Sequence, residues 1–135
     1  MTTRTMTQST NDSLLRRALR ANGIFCTFSG LFLLIAGAPV ADFLAVESAL
    51  VIRLIGVALL PYGFNLIRET GITPLHRYTG PLAIAGDIAW VIGSIAIIIA
   101  DPFDLSAAGK WAILAVADIV ATFAVIQIIG LRRMR

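Results

Sequence analysis

The sequence predicts an all-α fold: an antiparallel bundle of four transmembrane helices with both termini cytoplasmic. Three observations carry that expectation. The 135-residue chain is 58% apolar and only 14% charged, with a mean hydropathy of +0.87, whereas a soluble domain carries about a quarter charged residues. The apolar residues fall into four blocks, each close to the roughly 20 residues needed to cross ~30 Å of hydrocarbon. Basic residues collect beside alternate ends of those blocks.

Residues 1–12, MTTRTMTQSTND, are polar and Thr-rich without apolar periodicity, and are expected to form a disordered cytoplasmic tail. They lack the apolar core and small-residue cleavage site of a signal peptide. Asp12 or Ser13 can cap a helix that starts at Leu14. The first span is read over residues 14–38, ending at Pro39. A linker, VADFLAVE, leads to the second span at 48–68, where Pro61 and Gly63 predict a kink. A turn-rich loop with Gly71, Pro74, His76 and Arg77 precedes the third span at 81–101. Pro102 and the acidic loop DPFDLSAAG lead to the fourth, at 108–131.

Charge sets the topology. The N-terminal segment, ahead of a membrane part that runs from about Ala21 to Ala38, holds Arg4, Arg16, Arg17 and Arg20; the second loop has Arg68 and Arg77, and Arg132, Arg133 and Arg135 close the chain. The first and third loops together hold only Lys110. The positive-inside rule therefore places both termini of this expected multi-pass membrane protein in the cytoplasm. Arg16, Arg17, Arg20, Arg132 and Arg133 are read as snorkelling anchors at the lipid headgroups, with Trp111 as an anchor at the opposite interface. The net charge of +3 does not imply nucleic acid, because the basic residues flank apolar spans instead of forming a stripe.

Small residues recur every seven positions: Gly23, Gly30 and Gly37; Gly56 and Gly63; Gly86 and Gly93; Ala117 and Ala124. Seven residues make two turns of a supercoiled helix, so each set lines one face. Close approach at small residues holds helices together in lipid, and these stripes are expected to face inward. Gly23, Gly30 and Pro39 also match Gly86, Gly93 and Pro102 at a constant offset of 63, which fits two parallel hairpins.

Polar residues within the spans need partners, since a charge in mid-membrane costs about 2.5–3.5 kcal/mol on insertion scales. Asp87, Asn65 and Gln127 are expected at similar depth in one hydrogen-bonded layer, with Arg68 within reach of Asp87. Asp87, Trp90 and Ser94 share the face of the glycine stripe. Arg53 and Asp118 differ in height by roughly 9 Å at 1.5 Å per residue, which predicts an ion pair. The alternative is Arg53 turned outward, with Asp118 against Thr122. Asp118 and Gln127 are nine positions apart, about 900° of helical rotation, and so lie on opposite sides of the fourth span. One of them must face lipid or another protein.

Neither a nucleophile with its base nor a phosphate-binding loop is present. Cys26 is the sole cysteine and His76 the sole histidine, so no metal spacing exists within one chain. His76 is read as a loop residue and Cys26 as a packing residue beside Gly23 and Gly30.

Two stretches, Asp87-Ile-Ala-Trp90-Val91-Ile-Gly-Ser94 and Gln127-Ile-Ile-Gly130-Leu131-Arg132-Arg133, resemble elements of a group of uncharacterised small bacterial four-helix integral membrane proteins. That group looks to carry Asn where this chain has Asp87, and the resemblance implies a fold and no activity.

The leading functional expectation is a non-enzymatic accessory subunit or scaffold, without a cofactor, that packs against itself or a larger membrane complex. A second reading is an oligomeric transporter or channel using Asp87 or Asp118. A third is a binder of quinone, haem or pigment beside Trp90 and Trp111.

Overall fold

A computed structural model describes the backbone of residues 2–134 and the side chains of residues 13–134. Among the described residues the chain forms five helices and no strands: α1 (Thr2–Ile35), α2 (Gly37–Leu44), α3 (Ala49–Glu69), α4 (Thr79–Ala100) and α5 (Ala107–Arg133). Four stretches are long and apolar enough to cross a membrane: Ser13–Ile35, Ala49–Glu69, Thr79–Ala100 and Ala107–Arg133. Their most hydrophobic windows are no more than 33% buried within the protein. Ile35 and Ile99 are 82% and 79% exposed, as suits side chains whose solvent is lipid.

Two boundaries differ from the sequence reading. Helical backbone extends back to Thr2, across the segment expected to be a disordered tail, so α1 does not start at an Asp12 or Ser13 cap. Adding a residue to an existing helix is far easier than nucleating one. Met1 and Arg135 lie outside the described residues. Pro39 does not end the first helix either. The break falls at Ala36 (φ −102°, ψ 25°), and Pro39 sits in the first turn of α2, in place of the expected linker. Proline has no N–H to donate and its ring crowds the carbonyl four residues earlier, so the chain bends before Pro39 and resumes as helix around it. By contrast α3 runs unbroken through Pro61.

Serines start two of the spans. Ser48 accepts from the Leu50 N–H at 3.3 Å, and Ser106 from the Gly109 N–H at 2.9 Å.

The most extensive helix contact joins α1 and α3; α5 packs on both α4 and α1. α3 and α4 barely meet, and α3 and α5 do not meet among the described residues. One apolar cluster, Leu15, Leu19, Leu66 and Ala83, fills the end near the basic loop. Another, Ala41, Val46, Ile52 and Leu105, fills the end covered by α2.

The seven-residue stripes have unequal fates. A Cβ on Gly23 would lie 2.8 Å from the Gly63 carbonyl oxygen, and one on Gly30 would lie 2.9 Å from that of Gly56. This is backbone-to-backbone packing, which only glycine permits. Gly37 lies under the Arg53 side chain instead. On α5, Ala117 and Ala124 are buried. On α4 the expected seam does not form: Gly86 abuts the Tyr62 ring, and a Cβ on Gly93 would meet nothing within 4 Å.

Candidate functional site

One polar knot ties the four spans together between the two apolar clusters. Asp87 on α4 is 2% exposed. Its Oδ2 accepts from Asn22 Nδ2 at 2.7 Å and from Gln127 Nε2 at 3.1 Å. Its Oδ1 accepts from the Tyr62 hydroxyl at 3.3 Å, which also lies 3.2 Å from the Ala83 carbonyl oxygen. The Cys26 thiol donates to Asn22 Oδ1 at 3.4 Å. Asn22 and Gln127 are fully buried. Each of α1, α3, α4 and α5 thus places one donor or acceptor at the same point.

The layer expected from the sequence is reached with different residues. Asp87 and Gln127 belong to it. Asn65 does not: it is exposed, two positions or about 200° from the Gly63 face that packs on α1. Tyr62 takes its place on α3. Arg68 is exposed as well and does not reach Asp87. Asn22 went unrecognised, although Leu15, Leu19, Asn22 and Cys26 recur at helical spacing and mark it as the polar member of a buried stripe.

The expected Arg53–Asp118 ion pair is not formed. Arg53 lies along Gly37, both charged residues are exposed, and their helices α3 and α5 are not neighbours. Thr122 donates to the backbone carbonyl of Asp118 at 2.9 Å, so the Asp118 carboxylate gains no partner from it. Gln127 and Asp118 do occupy opposite sides of α5, one fully buried and the other exposed.

Two of the expected headgroup anchors also bond within the protein. Arg16 donates to the carbonyls of Thr70 and Ile72, each at 2.9 Å, and Arg20 Nε lies 3.4 Å from Thr70 Oγ1. These bonds hold the loop after α3. Arg17, Arg20, Trp111, Arg132 and Arg133 are exposed. In the same loop His76 Nδ1 lies 2.6 Å from Glu69 Oε2, and Thr79 donates to that oxygen at 3.4 Å.

At the opposite end Asp101 closes the loop between α4 and α5. It accepts from Lys110 at 2.8 Å and from the Leu105 N–H at 2.8 Å. The lysine, then the backbone N–H, holds the Asp101 carboxyl below its usual pKa.

Between the knot and the α2 cluster lies a cavity of ≈ 1090 Å³, bounded by α1, α2, α3, α4 and α5. Its lining is almost wholly apolar; Asp87, Cys26, Tyr62, Ser94 and Trp90 at the knot end, together with Ser29, are its polar members. The Ser94 hydroxyl is committed to the Trp90 carbonyl at 2.7 Å. The Trp90 indole N–H is buried without a hydrogen-bond acceptor, and Gln127 Oε1 is buried without a donor. Among the described residues no three metal-ligating side chains come together.

Comparison with protein-family models, curated proteins and solved structures finds no match.

Proposed function

We propose that this is a non-enzymatic protein of the bacterial cytoplasmic membrane that works by associating with another membrane-embedded protein, a second copy or a larger complex. In this reading the four spans form an antiparallel bundle with both termini cytoplasmic. The basic residues beside the first span, the second loop and the last span favour that orientation. The contact order favours the antiparallel arrangement: going from Gly23 to Gly30 along α1, the facing residue steps back from Gly63 to Gly56.

One observation carries the reading. Asp118 stands exposed near the middle of α5, in the span of highest hydropathy, 2.4, while Gln127 on the other side is fully buried. A carboxylate turned to lipid costs about 2.5–3.5 kcal/mol on insertion scales, and a protein partner with a donor at that depth removes the cost. The outward face of α5 is therefore the association surface.

Native mass spectrometry from lipid nanodiscs tests this. The wild type should retain a second copy or another membrane protein, and Asp118→Leu should release it while Asp118→Asn, which keeps an acceptor, retains it partly. A wild type that is always solitary, or a partner held equally by Asp118→Leu, overturns the reading. Loss of proton-coupled uptake in Asp118→Asn proteoliposomes would replace it with transport.

A further inference from the structure

We propose that the partner on the outward face of α5 is a second copy of this chain, with Asp118 of one protomer paired to Arg53 of the other. This rests on the association reading above and names its partner and the donor that partner supplies.

Charge is the first argument. Arg53 and Asp118 are both exposed, and among the described residues neither charged group has a partner within the chain. Lys110, the other charge in the α2 half of the spans, is already paired with Asp101 at 2.8 Å. One uncompensated cation and one uncompensated anion thus stand on the surface of the same half of the bundle. Either alone is unfavourable against hydrocarbon, and each is the group the other lacks.

Depth is the second argument. Tyr62 and Gln127 both reach Asp87. Arg53 is nine residues before Tyr62 and Asp118 nine before Gln127, so each stands roughly 13–14 Å beyond the knot at 1.5 Å per residue. Helix α1 serves as an independent ruler. Gly30 faces Gly56, which sets Arg53 level with Leu33. The Phe25 and Phe123 rings lie 5.7 Å apart, which sets Asp118 level with Gly30. The two charges then differ in height by roughly 4–5 Å, less than the reach of an arginine side chain.

Within one chain that match is of no use, because α3 and α5 both pack on α1 and not on each other. A membrane turns it into a match between chains. Copies inserted by the same basic signals share one orientation, so a second chain brings its Arg53 to the depth of Asp118. Ala115 and Thr122, about one turn either side of Asp118 and likewise exposed, are small enough to let a helix come close. On the other face, the Arg53 stem rests on Gly37, where a Cβ would lie 2.7 Å from Arg53 Cγ. Packing against Gly37 orders this side chain before a partner arrives, which lowers the entropy lost on pairing.

Co-expression of two full-length copies with different affinity tags, extracted together into lipid nanodiscs, tests this by mutual retention. Wild-type copies should retain each other. Arg53→Leu should lower retention of its own kind by about tenfold or more, and Asp118→Leu likewise. Leucine suits lipid at either position, so both variants should keep wild-type helicity. The deciding measurement mixes them: an Arg53→Leu copy still offers Asp118 and an Asp118→Leu copy still offers Arg53, so the pair should retain each other although neither retains itself. Arg53→Leu copies that associate like wild type, or mixed variants that hold each other no better than each holds itself, overturn the proposal. A wild type that holds a different membrane protein through Asp118 but no second copy overturns it and leaves the association reading standing. A wild type that holds nothing overturns both.

Discussion

Along α1 and α3, glycines meet carbonyl oxygens of the opposite helix; along α4, glycines with the same seven-residue spacing meet a tyrosine ring and an empty space. The two stripes look equivalent as sequence. They differ in what stands opposite. Gly23 and Gly30 face Gly63 and Gly56, so neither helix has a side chain to hold the backbones apart. Gly86 and Gly93 face the side of α3 that carries Tyr62, Ile55 and Leu59, and the two helices are held apart. A glycine stripe therefore permits close approach, and only a second stripe in register turns that permission into contact.

The sharpest way to break the contrast is to put a side chain into the tight seam. A Cβ on Gly63 would lie 2.6 Å from Thr27 Oγ1 and 2.7 Å from the Gly23 oxygen. Gly63→Leu is expected to cost about 3 kcal/mol or more through overpacking, read as reversible unfolding in mixed micelles. A loss as small as that of a lipid-facing substitution would mean that the α1–α3 seam is not close-packed.

Next comes the knot that spans both regions. Asp87→Leu leaves the Asn22 and Gln127 amides without their shared acceptor, at a cost of about 1–3 kcal/mol in the same measurement. Asp87→Asn retains one oxygen acceptor and should lose less. Equal losses would show that the carboxylate's second oxygen is essential.

Gly93→Ala should move the other way. Its new methyl meets no atom within 4 Å, so the helix-propensity gain of roughly 0.5–1 kcal/mol is unopposed. Destabilisation instead would place a neighbour where the cavity is.

The smallest effect lies at the exposed loop beyond the cavity. The Asp101 carboxyl is held below its unfolded pKa by Lys110 and by the Leu105 N–H. Its contribution is present above the unfolded value and disappears as pH falls through the folded one. Thermal stability should thus decline in the acid range, and Asp101→Asn should flatten part of that decline.

The four apolar spans were legible because hydrophobic length is a local property, readable without knowing any neighbour, whereas the short helix α2 and the extension of α1 to Thr2 were not. The polar layer was half legible. Depth along each helix named Asp87 and Gln127, but on α3 it named Asn65, which is exposed, whereas Tyr62, one turn earlier, makes the bond to Asp87. Arg53 and Asp118 were paired by height alone, and failed to pair because α3 and α5 are not adjacent.

By itself, then, the amino-acid order determined that four long apolar helices exist and roughly where each one runs. Which helices touch was decided only in three dimensions, since adjacency depends on complementary surfaces from distant parts of the chain. The tertiary arrangement alone closed the α1–α3 seam, drew Asn22 and Tyr62 to Asp87, and left a cavity beneath α2.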